Sequence, residues 1–384
     1  MNRDLGFISL SLLTWGLGEA AFLAFQPLYL QNLGADPIQI GTIYGAYGLA
    51  ASLVHIPAGY LSDRLGRRPA MWSAWFIGVI ATWMMALANS LPWFVAGMLL
   101  YGSTMFVIAP MNSYVTTARG KFTVARALTL ISATYNVGTI LGPLLGGYIG
   151  ERLGIRAIFF IAAGIFLCST IFILFIRPQP LDNDSKQESG KPIFANRRFL
   201  AFLPVIFLII FAGYLPQPLS PNFLQNHRGL TLTNIGQLYS INGLGIVVLN
   251  LLLGQMRSGV GLVLGQLCVG AFALLLWKGS GFLSFSLAYF LLGGFRTTRL
   301  LALAAARPLV KQSEMGLSYG LIETAGAMAI LTASPLAGYL YDRNPLLIYS
   351  VSAGLILLSS LTSLAFLYNR PQIQRPEMIS VEEG

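Results

Sequence analysis

"IGTIYGAYGL" at residues 40–49 returns as "IGQLYSINGL" at residues 235–244. Two further pairs keep the same order and nearly the same offset. "PLYLQN" at 27–32 returns as "PNFLQN" at 221–226, and "GPLLGGY" at 142–148 has a looser echo in "SPLAGYL" at 334–340. Ordered matches about half a chain apart mark a duplication: the chain is two copies of one unit.

Composition says what that unit is. Of 384 residues, 55% are hydrophobic and only 10% charged, too few charges to cover a soluble protein of this size. Solid apolar runs recur along the whole length, each near or above the ~18–20 residues that span a bilayer as a helix. A membrane barrel would show weaker alternating segments of about ten residues. Twelve spans are expected, near 6–31, 38–62, 70–89, 92–117, 126–150, 156–177, 199–225, 233–256, 259–278, 281–305, 315–341 and 345–368. The first run is too long for a signal-peptide core and is expected to remain as span 1. The fold class is therefore an all-α membrane protein of two pseudo-symmetric six-helix bundles. The N-terminal bundle covers 1–177 and the C-terminal bundle 199–369. The charged stretch 178–198 reads as a solvated linker and 370–384 as a polar tail.

Charge orients the bundle. An even number of spans puts both termini on one side. Arg152, Arg156, Arg228, Lys278 and Arg343 fall on the other side, and Arg296 and Arg299 fall inside span 10. The remaining 17 of the 24 Lys and Arg lie on the terminus side, which the positive-inside rule makes the cytoplasm. The expected location is the plasma (inner) membrane. The net charge of +10 thus faces lipid headgroups, and no nucleic-acid partner is needed to account for it. Cys168 and Cys268 sit in apolar runs and read as small core residues. With two His and two Cys, none at ligand spacing, the chain offers no metal site and no hydrolytic nucleophile–base pair. It has no Gly-Lys-Ser/Thr phosphate loop for ATP-driven pumping. Nothing asks for a cofactor, and an enzyme is not expected. Two similar bundles can rock about an axis normal to the membrane, opening a site between them to one side at a time, and that is the argument for transport.

"GYLSDRLGRR" at 59–68 crowds four charges into the loop between spans 2 and 3. Arg64, Arg67 and Arg68 suit anionic lipid. Gly59 allows a close neighbour, Gly66 permits a sharp turn, and Asp63 can accept from Arg67 or meet a helix N-terminus across the interface. The stretch resembles the signature loop of the major facilitator superfamily, Gly-x-Leu-x-Asp-Arg-x-Gly-Arg-Arg, matched at Gly59, Leu61, Asp63, Arg64, Gly66, Arg67 and Arg68. The resemblance implies a latch that closes the cytoplasmic side, and a monomer, the family norm. Its second-half counterpart, "GQMRSGVG" at 254–261, keeps glycines but lacks the Asp.

"GTILGPLLGG" at 138–147 in span 5 is similar to the antiporter motif of the same superfamily, at Gly138, Gly142, Pro143, Gly146 and Gly147. Glycines 138, 142, 146, 150 and 154 recur every four residues and form one smooth face for close helix crossing. Pro143 removes a backbone donor. By resemblance the motif favours export, most closely of the 12-helix drug:proton antiporter type. The sequence departs from that type at Gly97 in span 4, where many proton-coupled members carry an arginine.

Ionisable residues inside spans are few and default to functional hypotheses. Glu19 lies near the middle of span 1 on a stripe with Trp15, Phe22 and Gln26. The family fold lines its cavity with spans 1, 4, 7 and 10, so Glu19, Trp15 and Gln26 are candidates for substrate or proton, with a fixed hydrogen bond as the plain alternative for Glu19. Arg296 is expected near the midplane, to bind an anionic group or neutralise an acid. Arg299 is expected to pair with Glu323 of span 11, which His55 of span 2 could face as a gate contact. Two readings of transport stand. One is a proton-coupled exporter of small amphipathic compounds, for multidrug or metabolite efflux. The other is an importer or uncoupled facilitator of an organic anion or other small metabolite. Glu19 exposed to the cavity would favour cations, and exposed arginines would favour anions.

Overall fold

The computed structural model of the chain describes residues 2–54, 66–179, 196–310 and 315–368. Among these residues the regular structure is helical, with no strand. Ten helices are long and apolar enough to cross a membrane. They are span 1 (Arg3–Leu23), span 3 (Arg67–Leu87), span 4 (Leu91–Ala118), span 5 (Val124–Leu153), span 6 (Ile155–Leu174), span 7 (Arg197–Tyr214), span 8 (Leu232–Gly254), span 9 (Ser258–Lys278), span 11 (Ser318–Arg343) and span 12 (Leu347–Phe366). Span 2 is Pro37–Leu53, followed to the edge of the described stretch. Span 10 is two helices end to end, Gly281–Leu292 and Gly294–Ala306. All twelve expected spans have a helical counterpart, and most of the linker lies outside the described residues.

Four spans differ from the expected continuous rods. Span 1 stops at Leu23 and resumes as Gln26–Asn32, with Pro27 at the restart. Span 7 stops at Tyr214 and resumes as Ser220–Arg228, after Pro216 and Pro218. Span 4 passes through a tighter turn at Ser103–Val107, where Pro110 cannot donate back to Phe106. Span 10 breaks at Gly293. Spans 1, 4, 7 and 10 occupy matching places in the two copies, so the breaks obey the duplication. Interrupted helices free backbone groups and redirect side chains near the midplane, where transporters bind their cargo.

The repeats that opened the sequence build the seam between the halves. Spans 2 and 8 start with capping boxes at equivalent positions, Asp36 with Gln39 and Thr231 with Asn234. From there each copy packs on the other half. Gly41 lies against the Ser334 carbonyl, and Gly338 against that of Pro37, joining spans 2 and 11. Gly236 lies against the Pro143 carbonyl, Gly147 against that of Leu232, and Ser240 Oγ donates to Ile140 O at 2.7 Å, joining spans 5 and 8. Lipid is as apolar as a helix flank, so backbone approach and hydrogen bonds, rather than hydrophobicity, hold such a seam.

The second repeat pair closes the end away from the termini. Asn222 Nδ2 donates to Pro27 O at 3.2 Å and to Gln31 Oε1 at 2.6 Å, and Asn226 Nδ2 donates to the same Gln31 Oε1 at 3.1 Å. Glu151 accepts from the backbone of Thr233, at the start of span 8, at 3.3 Å. The seam runs inward as far as Gly48–Ile330 and Gly243–Ile140. Beyond that depth Arg296, Glu323 and Thr324 are exposed, and Gly320 meets no neighbour. Among the described residues, the halves are joined at the end away from the termini, and the glycine contacts of the seam stop at Gly48 and Gly243 toward the other end.

The amide clasp is uncharged, and each of its hydrogen bonds is worth about 1 kcal/mol net. Asn222→Leu removes two of these bonds and is therefore expected to raise the population opened at the sealed end roughly thirtyfold. A cysteine placed at buried Ser240 and challenged with a membrane-impermeant maleimide reads that opening. Labelling equal to that of the parent would remove the clasp's role.

Candidate functional site

The site is assembled from both halves near the midplane. Gly138 and Gly142 of span 5 press on the backbone of span 1 at Leu13, Leu17 and Ala21. That contact carries Tyr135, one turn earlier on span 5, to Glu19. Glu19 is 5% exposed, and the Tyr135 hydroxyl donates to its Oε2 at 2.8 Å. The Tyr101 hydroxyl and the Trp15 indole lie beside the same carboxyl. A buried acid is costly unless hydrogen-bonded, and the Tyr135 hydroxyl supplies that bond.

Arg296 comes from the other half. It lies two residues into the inner segment of span 10, just past the break at Gly293. Gly293 sits against the backbone of Gly245 and Ile246 of span 8, which fixes where the inner segment starts. The Arg296 side chain is exposed to the space between the halves and faces both the Tyr135 hydroxyl and Glu19. No ion pair among the described residues engages it. The tyrosine hydroxyl is thus hydrogen-bonded to the carboxyl from one half and lies near the guanidinium from the other.

Other expected residues fall differently. Trp15 and Gln26 do not line the open space. Trp15 packs in the first half's aromatic core, 4.9 Å from Trp75 and 4.5 Å from Phe166 between ring centroids. Gln26 is fully buried, donating to Met85 Sδ at 3.7 Å and accepting from Tyr44 at 3.5 Å. The stripe that carries Glu19 turns into its own bundle, because the glycine face of span 5 and the small residues of span 1 fix the rotation. Arg299 and Glu323 do meet, at 2.8 Å, with both side chains well exposed, 35% and 54%. Such a pair is worth about 0–1 kcal/mol and separates easily. Gly97 faces Ala81 and Met85 of span 3.

Within the signature loop, Gly66 starts span 3 at φ +91°, where glycine is favoured. Arg67 donates to Thr117 Oγ1 at 2.7 Å and to Gln179 Oε1 at 3.2 Å, and Arg68 lies 4.0 Å over Trp72. Gly59, Leu61, Asp63, Arg64 and His55 lie outside the described residues. In the span 5 motif, Gly138, Gly142 and Gly146 face span 1, whereas Gly147 faces span 8. Gly154 leaves the expected smooth face: at φ +87° it makes the turn into span 6.

Sequence reasoning missed the tyrosines. Tyr44 and Tyr47 of span 2, Tyr135 of span 5, Tyr214 of span 7 and Tyr239 of span 8 are all half-buried, and Tyr44 and Tyr47 lie near the other three. One signal was available. Tyr44 and Tyr239 hold the same place in the two copies, "IGTIY" and "IGQLY".

The sequence profile described as Major Facilitator Superfamily matches residues 8–293, about three-quarters of the chain. The chain belongs to this superfamily. With its ten membrane-length helices it is a multi-pass membrane protein of that superfamily. It is similar to the multi-drug resistance efflux pump PmrA of Streptococcus pneumoniae, 27% identical over 51% of this chain and 51% of that one. The chain thus spans about half the length of that relative. It is also similar to multidrug resistance protein 2 of Bacillus subtilis, 24% identical over 85% of this chain and 86% of that one. Among solved structures, a point variant of the nucleoside transporter NupG superposes with a TM-score of 0.84 at 15% identity, over 95% of this chain and 100% of that one. At that identity the likeness concerns the superfamily fold alone.

Proposed function

We propose that this superfamily member is a proton-coupled exporter of small amphipathic compounds. It acts as a monomer, with both termini on the cytoplasmic side of the plasma (inner) membrane. The carrying observation is that Glu19 of one half, holding the Tyr135 hydroxyl, lies near Arg296 of the other half. When the halves rock, their separation changes. A site that holds either a proton at Glu19 or the substrate, but not both, exchanges one for the other as the halves rock, so substrate and proton move in opposite directions. The orientation is supported by the 17 basic residues on the terminus side. Export is supported by the span 5 motif and by the efflux names of the relatives. The loop from Gly59 to Arg68 would latch the cytoplasmic side in the other half of the cycle.

One observation favours a second reading, an importer or uncoupled facilitator of an organic anion. The exposed charge in the cavity is Arg296, while Glu19 is buried. Energised everted vesicles with a pH-sensitive dye separate the two. Lipophilic cations are added first and organic anions second. For the exporter, one class is expected to release protons in the parent and not in Glu19→Gln. Radiolabelled anion uptake that needs no gradient, with no pH response in either protein, would leave the facilitator standing and the exporter rejected.

A further inference from the structure

Five tyrosines and one arginine form the floor of the space between the halves, and none of the five carries a motif signature. We infer that this floor is a binding site for a planar aromatic anion, an aromatic carboxylate being its simplest member. The inference names the substrate class for the proposed transport cycle and rests on that reading only for its turnover, not for binding.

The ring surfaces come from both halves. Tyr44 and Tyr47 sit one helical turn apart on span 2 and face Tyr214, and Tyr44 also faces Tyr239. Tyr47 faces Tyr135 as well, and its ring packs against Gly102, at the tightened turn of span 4. Tyr214 lies 6.2 Å from the Phe295 ring, next to Arg296 in sequence. All five tyrosines and Phe295 are half-buried, and Phe295 packs on Gly213 of its own bundle. Fully buried tyrosines elsewhere, such as Tyr101 and Tyr289, belong to the cores. Aromatic rings gathered from both halves suit a flat ring, and their phenolic hydroxyls suit its polar substituents.

Charge selects the sign. Tyrosine faces alone would also suit a cation. Here the charge offered to the cleft is the Arg296 guanidinium, exposed and without an ion pair among the described residues. Glu19, the acid closest to these rings, is buried and already holds the Tyr135 hydroxyl. Glu323 lies nearer the mouth and holds Arg299. A carboxylate can take two parallel hydrogen bonds from a guanidinium while its ring lies among the tyrosines.

The test is equilibrium binding to the purified full-length protein in detergent, by calorimetry, with four probes of similar size. These are benzoate, cyclohexanecarboxylate, benzyl alcohol and benzylammonium. Benzoate is expected to bind roughly tenfold tighter than cyclohexanecarboxylate, whose ring is saturated and puckered. It is expected to bind at least about tenfold tighter than benzyl alcohol, which lacks the charge. Arg296→Gln should erase the second preference and keep the first. Tyr47→Leu with Tyr214→Leu should erase the first and keep the second, whereas Tyr47→Phe should keep both. Unchanged gel-filtration profiles certify the variants as folded, and the parent's probe ranking alone decides the matter if one fails. Equal binding of cyclohexanecarboxylate, or tighter binding of benzylammonium, overturns the inference. Benzoate binding without proton release in vesicles would leave this site standing and defeat the exporter. Proton release driven by cations, with no benzoate binding, would do the reverse.

Discussion

An alanine at Gly236 is expected to leave a folded protein that cannot seal its outer end, with transport lowered roughly 5- to 150-fold. The added Cβ would meet the carbonyl of Pro143, a backbone atom that cannot swing aside as a side chain would. Overpacking of this kind costs about 1–3 kcal/mol. The contact joins spans 5 and 8, which belong to different halves, so each bundle still folds. The cost falls only on the state in which this seam is closed. Both states are needed in a transport cycle, so a one-sided penalty slows it. Cysteine at Ser240, buried in the same seam, should label faster with an impermeant maleimide in the Gly236→Ala background. Parent-like labelling together with parent-like transport would show that the seam tolerates a methyl group and carries no gating role.

Alanine at Gly142 should do the opposite. This glycine lies against Leu17 O and Ala21 N of span 1, inside one bundle. That contact persists through any rocking of the halves, so its loss penalises every folded state. A destabilisation of about 1–3 kcal/mol is expected for alanine, and more for valine. Thermal unfolding in detergent should fall by several degrees, with Ser240→Cys labelling of the remaining folded protein unchanged. A stable Gly142→Ala protein with altered labelling would place the whole span 5 motif in gating. The pair separates two jobs within one run of glycines, since Gly142 and Gly146 serve folding while Gly147 and its partner Gly236 serve the seam.

Little of that division was legible beforehand. "GTILGPLLGG" announces close packing, because small residues every four positions can do little else in a helix. It does not say which neighbour each glycine meets. The Arg299–Glu323 pair was readable, since both are charged and at similar depth in spans that neighbour each other. Trp15 and Gln26 were misplaced to the cavity for the same reason that Tyr47 and Tyr214 were overlooked. A span that is apolar all round gives no signal of its inner side, because lipid and protein interior are equally apolar.

By itself the sequence determined the membrane setting, the helical spans and the duplication. Each follows from local chemistry: run length against bilayer thickness, and repeated words at a fixed offset. Tertiary structure alone decided the rotation of span 1, the breaks in spans 1, 4, 7 and 10, and the meeting of Glu19, Tyr135 and Arg296. Those depend on backbone approach at Gly138, Gly142 and Gly293, where a helix's azimuth is set by a partner distant in sequence. The same repeats serve both levels. As words they revealed two copies, and as surfaces they became the seam on which the copies turn.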